Sequence, residues 1–462
     1  MRASVVVSCL LLAACAVGPD YRRPDVDVPE AWRVPAAEAA DIANTAWWRG
    51  FGDPVLDQLI ETAVAQNKDL KIAAARVEAF AARVGITRSA ALPQVGYGTN
   101  AARSANRPVG AGVGNLYDAT LNLGWELDVW GRIRRATEAA RAELLAAEEG
   151  RRAVVLSLVT SVATGYIQLR SLDRQLEISR RTLASRAESV RLFEARFRGG
   201  VVSKLELAQV RSEYEQAAAA VPALERQIAV QENALSILLG RNPGPIMRGV
   251  GADALKLPAV PAGVPSDVLM RRPDLVAAEQ RLVAANARIG VARALYFPAI
   301  SLTGLLGQAS TDLSKLFDPS SSVWSIGAGA LGPIFTGGAI KGQIAASEAV
   351  RRQALVDYLR VVQNAFREVD DALVSYQKRR EELAARHRQV EALRDYAAKA
   401  QLRYNAGYVS YIEVLDAERQ LFDAELRLEQ VRAELYAALV AVYEAMGGGW
   451  IDAADGKVAS GE

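Results

Sequence analysis

Little in this sequence is equipped for covalent chemistry. Its one histidine, His387, sits between Arg386 and Arg388 in a polar run, where a solvated surface position accounts for it. No Ser/His/Asp arrangement accompanies it. Of the two cysteines, Cys9 falls inside the apolar run Ala3 to Ala14, and Cys15 directly follows that run. One imidazole and so few thiols make up neither a set of metal ligands nor an activated nucleophile. No catalysis, metal or other cofactor is therefore expected. Gly327-Ala-Gly329-Ala-Leu-Gly332 satisfies the dinucleotide fingerprint G-x-G-x-x-G. That motif needs a strand before it and a helix directly after it, so that phosphate meets a helix N-terminus. Here Pro333-Ile334-Phe335 continue what reads as one strand, and the small residues suit a strand that must curve. With 55 Lys+Arg against 53 Asp+Glu the net charge is +2, which gives no electrostatic reason to expect nucleic acid. The remaining candidates are carboxylates. Glu413 and Asp416 are three apart, hence on one helix face, just after a break at Gly407. Glu206 stands at the same distance from Gly200.

The first fourteen residues are a leader. Arg2 is a short basic start, and the apolar run that follows has signal-peptide length and is too short to span a bilayer. It ends Leu12-Ala13-Ala14-Cys15, which resembles the lipobox of bacterial lipoproteins. That resemblance implies cleavage before Cys15, removal of residues 1–14, and acylation of Cys15 on its sulfur and new amino group. Several chains on one residue anchor firmly where one chain is marginal. Ala16 follows where an inner-membrane lipoprotein would carry Asp, so the implied destination is the outer membrane. No run of 18 apolar residues occurs, and no transmembrane helix is expected.

The elements that must position the carboxylates are written twice. Asp69-Leu70, Arg76, Arg83, Gly85, Arg88 and Pro93 recur as Asp274-Leu275, Arg281, Arg288, Gly290, Arg293 and Pro298, offset by 205 positions. Gly131, Ile133, Ala139, Gly200, Val202, Ser203, Glu206 and Gly240 recur as Gly338, Ile340, Ala346, Gly407, Val409, Ser410, Glu413 and Gly447, offset by 207. Glycine and proline punctuation coincides in the two copies, so the repeat is structural. Residues 54–240 form repeat 1 and residues 266–449 repeat 2. Between them, 241–265 contains five prolines and is an extended connector. Residues 15–53 form an N-terminal segment, and 450–462 a tail.

Each copy reads helix, strand, strand, very long helix, break, helix. The first helix runs from about Pro54 to Ala91, and the long ones from Gly131 to Arg198 and from Gly338 to Asn405. A helix of about 67 residues would be roughly 100 Å long, which belongs to a coiled coil, bundle or tube. Val414, Leu421, Leu428, Leu435 and Val442 recur by sevens, and Val362, Phe366, Val369, Leu373 and Tyr376 step by four and three. That 3.5-residue period is the mark of helices packed along their length. Pro222 falls inside a helix, where it removes a hydrogen bond and should bend the chain.

Tyr117 to Trp130 alternates. Tyr117, Ala119, Leu121, Leu123, Trp125 and Leu127 fall on one side, and Asp118, Thr120, Asn122, Gly124 and Glu126 on the other. This is a strand with one apolar and one polar face, long enough to cross a membrane at a tilt. The strands are placed at about 93–103 and 116–130 in repeat 1, and at about 298–309 and 322–335 in repeat 2. Four strands cannot close a barrel, and lipid does not tolerate an open edge. The chain must share a barrel with its copies, and three copies would supply twelve strands. The fold class read from the residues is mainly α with a membrane β-barrel portion in a tandem-repeat chain, and the resemblance of these elements to a known family implies the rest: a trimeric 12-stranded β-barrel and a long periplasmic α-helical barrel.

These features resemble the TolC-like outer membrane efflux family, in its OprM/NodT-type lipoprotein branch. The resemblance is carried by Cys15-Ala-Val-Gly-Pro-Asp-Tyr21, by Trp47-Trp48 with Phe51-Gly52-Asp53-Pro54, and by Trp125-Glu126-Leu127-Asp128-Val129-Trp130-Gly131. It continues through Arg271-Arg272-Pro273-Asp274, Gly332-Pro333-Ile334-Phe335, Tyr404-Asn-Ala-Gly407 and Glu413-Val-Leu-Asp416-Ala. It covers nearly the whole mature chain. The resemblance implies a homotrimeric tunnel from the periplasm through the outer membrane, with an equatorial belt built from termini and connector. It implies a periplasmic adaptor and an inner-membrane pump of RND type as partners, with outer membrane lipids around the barrel. The pump supplies the energy, and the tunnel passes small molecules. The resemblance also implies a periplasmic gate in which Glu413 and Asp416 form acidic rings, Tyr404 joins a locking hydrogen bond, and Glu206 takes the equivalent place in repeat 1. The family's basic lock residue is missing, since Val409 stands there. Two other readings use the same features: an exit duct for a secreted polypeptide, and a long-helix periplasmic adaptor.

Overall fold

Glycine sets the helix boundaries. The chain reverses at Gly200 and Gly407 with φ of 71° and 79°, a conformation that costs any residue with a Cβ. The computed structural model describes residues 16–33, 46–105, 113–258, 260, 268–269 and 271–448. The leader, Cys15 and the tail lie outside the described residues, as do parts of the N-terminal segment and connector. After a short 3₁₀ turn at Trp47–Phe51 come α1 (Pro54–Gln66), α2 (Lys68–Ser89), β1 (Gln94–Ala105), β2 (Val113–Leu127), α3 (Arg132–Arg198) and α4 (Lys204–Leu238). Repeat 2 supplies α5 (Pro273–Ala294), β3 (Ala299–Ser310), β4 (Ser322–Leu331), α6 (Ala339–Asn405) and α7 (Tyr411–Ala445). α4 runs on through Pro222 without interruption.

Two differences from the sequence reading have physical causes. The single first helix is two, broken at Asn67. The Asn67 side chain donates to the Leu238 carbonyl at 2.9 Å and accepts from the Leu70 N–H at 3.0 Å, so it ends one helix and starts the next. Arg272 holds the same place in repeat 2 and donates to the equivalent carbonyl, that of Ala445, at 3.2 Å. The second strand of each repeat also ends earlier than read. β2 stops at Leu127 because Asp128 accepts from the Ile133 and Arg134 N–H groups and caps α3. β4 stops at Leu331, so Pro333-Ile334-Phe335 do not extend it; Pro333 has no N–H to give a ladder.

The chain forms two compact units, each from separated segments. The first comprises residues 1–26, 74–149 and 276–361. Within it, among the described residues, β1-β2-β3-β4 make one antiparallel sheet in that order. Repeat 1 meets repeat 2 at the β2–β3 ladder, with Leu121 opposite Leu306 and Leu123 opposite Gly304. Below the sheet α3 and α5 pack through Ala139, Ala142, Ala284 and Ala287, small side chains that let helices approach closely. The second unit comprises residues 27–73, 150–275 and 362–462. Its core gathers Trp47, Phe51, Leu56, Val159, Val162, Tyr166, Leu235 and Leu439. Trp47 stacks on Tyr443 with ring centres 4.8 Å apart. A buried network fixes the start of α1: Tyr166 Oη donates to Asp53 at 2.8 Å and accepts from the Gly249 N–H at 2.8 Å. One window of α3 is apolar enough to cross a membrane by composition, but more than half of it is buried inside the protein. That is what a core helix requires.

Candidate functional site

Directly opposed residues of an antiparallel pair share a face, so the ladder registers sort the sheet. One face carries Val95, Tyr97, Leu121, Leu123, Leu306, Trp324 and Ile326. All are exposed, Tyr97 at 85% and Ile326 at 84%. So much apolar surface facing outward needs an apolar medium or partner. The other face carries Gly98, Asn100, Asp118, Thr120, Asn122, Ser301, Thr303 and Gly327. β1 and β4 each have a ladder on one side only among the described residues. The sheet is therefore amphipathic and open at both edges.

Its helix-side end is ringed with aromatics. Trp130 stacks on Phe297 with centroids 4.6 Å apart, and its indole N–H donates to the Pro298 carbonyl at 2.8 Å. Trp125 donates to the Ala91 carbonyl. Amphipathic rings of this kind collect where apolar and aqueous phases meet. The N-terminal segment is tied down here: the Val17 N–H donates to the Trp130 carbonyl at 3.0 Å. It then runs along α5 and α3. A Cβ on Gly290 would lie 2.7 Å from the Val17 carbonyl oxygen. Arg135 pairs with Asp20 at 2.6 Å, and Tyr21 donates to Glu279 at 3.0 Å.

The predicted gate residues lie at the helix reversals of the second unit. Phe193, Leu207, Val210, Tyr411, Val414 and Ala417 form a small core there. Tyr404 packs on Tyr411 with ring centres 4.9 Å apart, and its hydroxyl accepts from Arg196 Nη1 at 2.6 Å. Glu413 lies 3.6 Å from Arg403, and Asp416 lies 2.7 Å from Arg419 and accepts from Gln420. Glu206 is engaged differently. It and Ser203 form a reciprocal capping box at the start of α4, at 2.7 and 3.2 Å. The backbone hydrogen bond from Ser203 lowers its pKa below the usual carboxylate value. Ser410, its counterpart, makes no such cap, which leaves Glu413 turned to Arg403. Tyr404 is thus brought to the reversal core, Glu413 and Asp416 share a half-exposed face of α7, and Glu206 serves α4. The sequence reading missed Arg196, Arg403 and Arg419. Arg196 and Arg403 are repeat mates at the 207 offset, which is the one signal that could have singled them out.

The profile of the outer membrane efflux protein family matches residues 59–241 and again 264–448. The chain belongs to that family. It is 37% identical over 458 residues to the toluene efflux pump outer membrane protein TtgF of Pseudomonas putida, covering 95% of each chain. It is 35% identical over 446 residues to the cation efflux system protein CusC of Escherichia coli, covering 96% of this chain and 97% of that one. Among solved structures, the open state of the Neisseria gonorrhoeae MtrE outer membrane channel superposes with a TM-score of 0.85 at 31% identity, covering 94% of this chain and 99% of that one. As an outer membrane efflux protein, the chain has its amphipathic sheet where a bilayer can accept it, and its twofold match reproduces the internal repeat. The dinucleotide motif has no role here: Gly327 and Gly329 are inside β4, and the next helix starts only at Ala339.

Proposed function

We propose that this chain is the outer membrane channel component of a tripartite efflux system, a passive conduit for small molecules delivered by an inner-membrane pump. The observation that carries the reading is the open sheet, apolar on one face and polar on the other, with a free edge at β1 and another at β4. Backbone N–H and C=O groups at a free edge cannot be left in lipid. Three copies joined edge to edge close twelve strands, apolar outside and polar within. The helices extend into the periplasm, where an adaptor and a pump of RND type complete the system. In the same reading residues 15–53 and the connector 241–265 form the equatorial region. Cys15 carries the lipid, and the hydrogen bond from Val17, two residues further on, to the Trp130 carbonyl at the aromatic end of the sheet favours this. Glu413, Asp416 and Tyr404 belong to the periplasmic entrance. Glu206 contributes by holding the neighbouring reversal in shape. Arg196, donating to Tyr404, takes the part of the basic residue that Val409 cannot supply. Relatives named for toluene and for cation efflux differ in cargo on one scaffold, in keeping with cargo selection by the pump. Light scattering of the purified protein in detergent should report a trimer; a stable, fully folded monomer would sink the shared-barrel reading.

A further inference from the structure

At the foot of the sheet the two repeats carry different charges at the same place. In repeat 2, Arg293 near the end of α5 pairs with Glu348 of α6 at 2.9 Å. The offsets that relate the copies carry Arg293 back to Arg88 of α2, and Glu348 back to Arg141 of α3. Repeat 1 therefore sets a second arginine where repeat 2 has the arginine's carboxylate. Arg88 and Arg141 both line a cavity of about 480 Å³ between α2, α3 and α5, a size that suits a small ligand or headgroup. Among the described residues no hydrogen bond or ion pair reaches either guanidinium, and both side chains are exposed. The other charged groups of the wall are already engaged. Arg134 is held by the Asp128 carboxylate and by the carbonyls of Asp128 and Val129, and Glu138 pairs with Arg135 at 2.8 Å. Two guanidiniums at one cavity repel each other until an anion joins them. Arginine forks match a phosphate best, since each can give it two parallel hydrogen bonds. Beside the arginines the wall is apolar, from Ala142, Leu145 and Val283.

The position of the cavity points to the source of that phosphate. Ala91 lines it and also accepts the hydrogen bond of the Trp125 indole at 2.9 Å. Trp125 stands opposite Leu302 on the apolar face of the sheet. The cavity thus adjoins the apolar face at its aromatic, helix-side end. In an outer membrane channel that end is the periplasmic one, where phospholipid headgroups lie level with the aromatic belt. We propose that this cavity is a binding site for an anionic phospholipid of the periplasmic leaflet: Arg88 and Arg141 hold the phosphate, and Leu145 and Val283 flank the beginning of an acyl chain. Repeat 2 has no equivalent site, because Glu348 already neutralises Arg293. One lipid per chain follows. The site needs the outer membrane around it and not the passage of cargo, so a chain that conducted nothing would still bind.

The test is native mass spectrometry of the full chain in detergent, titrated with phosphatidylglycerol, with phosphatidylethanolamine and with inorganic phosphate. The parent should retain one phosphatidylglycerol per chain. Phosphatidylethanolamine, whose ammonium offsets its phosphate, should bind more weakly, and excess inorganic phosphate should leave the lipid in place. A basic residue beside an anionic headgroup contributes about fivefold in affinity, so Arg88→Gln with Arg141→Gln should weaken binding roughly 25-fold. Arg141→Glu is the sharper variant. It writes the ion pair of repeat 2 into repeat 1, gives Arg88 the carboxylate that Arg293 has, and should abolish retention in a protein that folds as the parent does. Arg293→Gln removes a positive charge from the equivalent place in repeat 2 and should leave lipid binding unchanged. Equal retention by the parent and Arg141→Glu overturns the proposal, and would leave the two arginines to an acidic segment of a protein partner. Equal binding of the two lipids overturns it as well. Displacement of the lipid by inorganic phosphate would mark a site for the free ion and overturn the assignment to a lipid.

Discussion

Removing the two entrance carboxylates together, Glu413→Ala with Asp416→Ala, should do more than neutralise the aperture. Each carboxylate is matched by an arginine, Arg403 at 3.6 Å and Arg419 at 2.7 Å, so the parent face is close to charge balance. The double variant strands both arginines, and in the proposed trimer it does so three times around a narrow opening. A unit charge shifts the energy of an ion 4 Å away by about 1 kcal/mol in bulk water. A net shift of only that size would change the ratio of cation to anion permeability by roughly fivefold, towards anions. The fold should be spared, because these pairs are well exposed, with side-chain exposures of 59% and 32% for the first and 50% and 38% for the second. Such pairs contribute about 0–1 kcal/mol each. The assay is the reversal potential of single trimers across a potassium chloride gradient. The shift should shrink at about 1 M salt, where the screening length falls to ~3 Å. An unchanged reversal potential in an intact trimeric double variant would return Glu413 and Asp416 to ordinary solvated helix charges.

Two further outcomes are expected. Cys15→Ser should abolish fatty-acid labelling while the strands still insert; undiminished labelling would show that the lipid is elsewhere. Tyr166→Phe leaves the fully buried Asp53 carboxylate short of a donor and the Gly249 N–H without its acceptor. It should cost about 2–3 kcal/mol, read as an earlier unfolding transition in guanidinium, and an unmoved midpoint would refute the role given to that network.

Whatever a local pattern encodes is legible in the amino-acid sequence by itself. Glycines that must take positive φ end the long helices within one residue of the reading, at Arg132–Arg198 and Ala339–Asn405. A period of two marks the faces of β2, and a period near 3.5 marks buried Val414, Leu428, Leu435 and Val442. The repeat and the open sheet are legible for the same reason, since spacing survives when side chains change. What depends on a distant partner is not. Asn67 breaks a helix because the Leu238 carbonyl lies beside it, 171 positions away in sequence. The pairing of β2 with β3 joins the two copies across a similar distance. At the candidate site the carboxylates announce themselves by spacing, but their arginines do not. In a chain with 55 Lys+Arg, only the packing of α3, α4, α6 and α7 decides that Arg196 meets Tyr404 and that Arg186 is buried against Glu213. A charge's partner is set by distance in space, and spacing along the chain encodes that distance only within a single helix or strand.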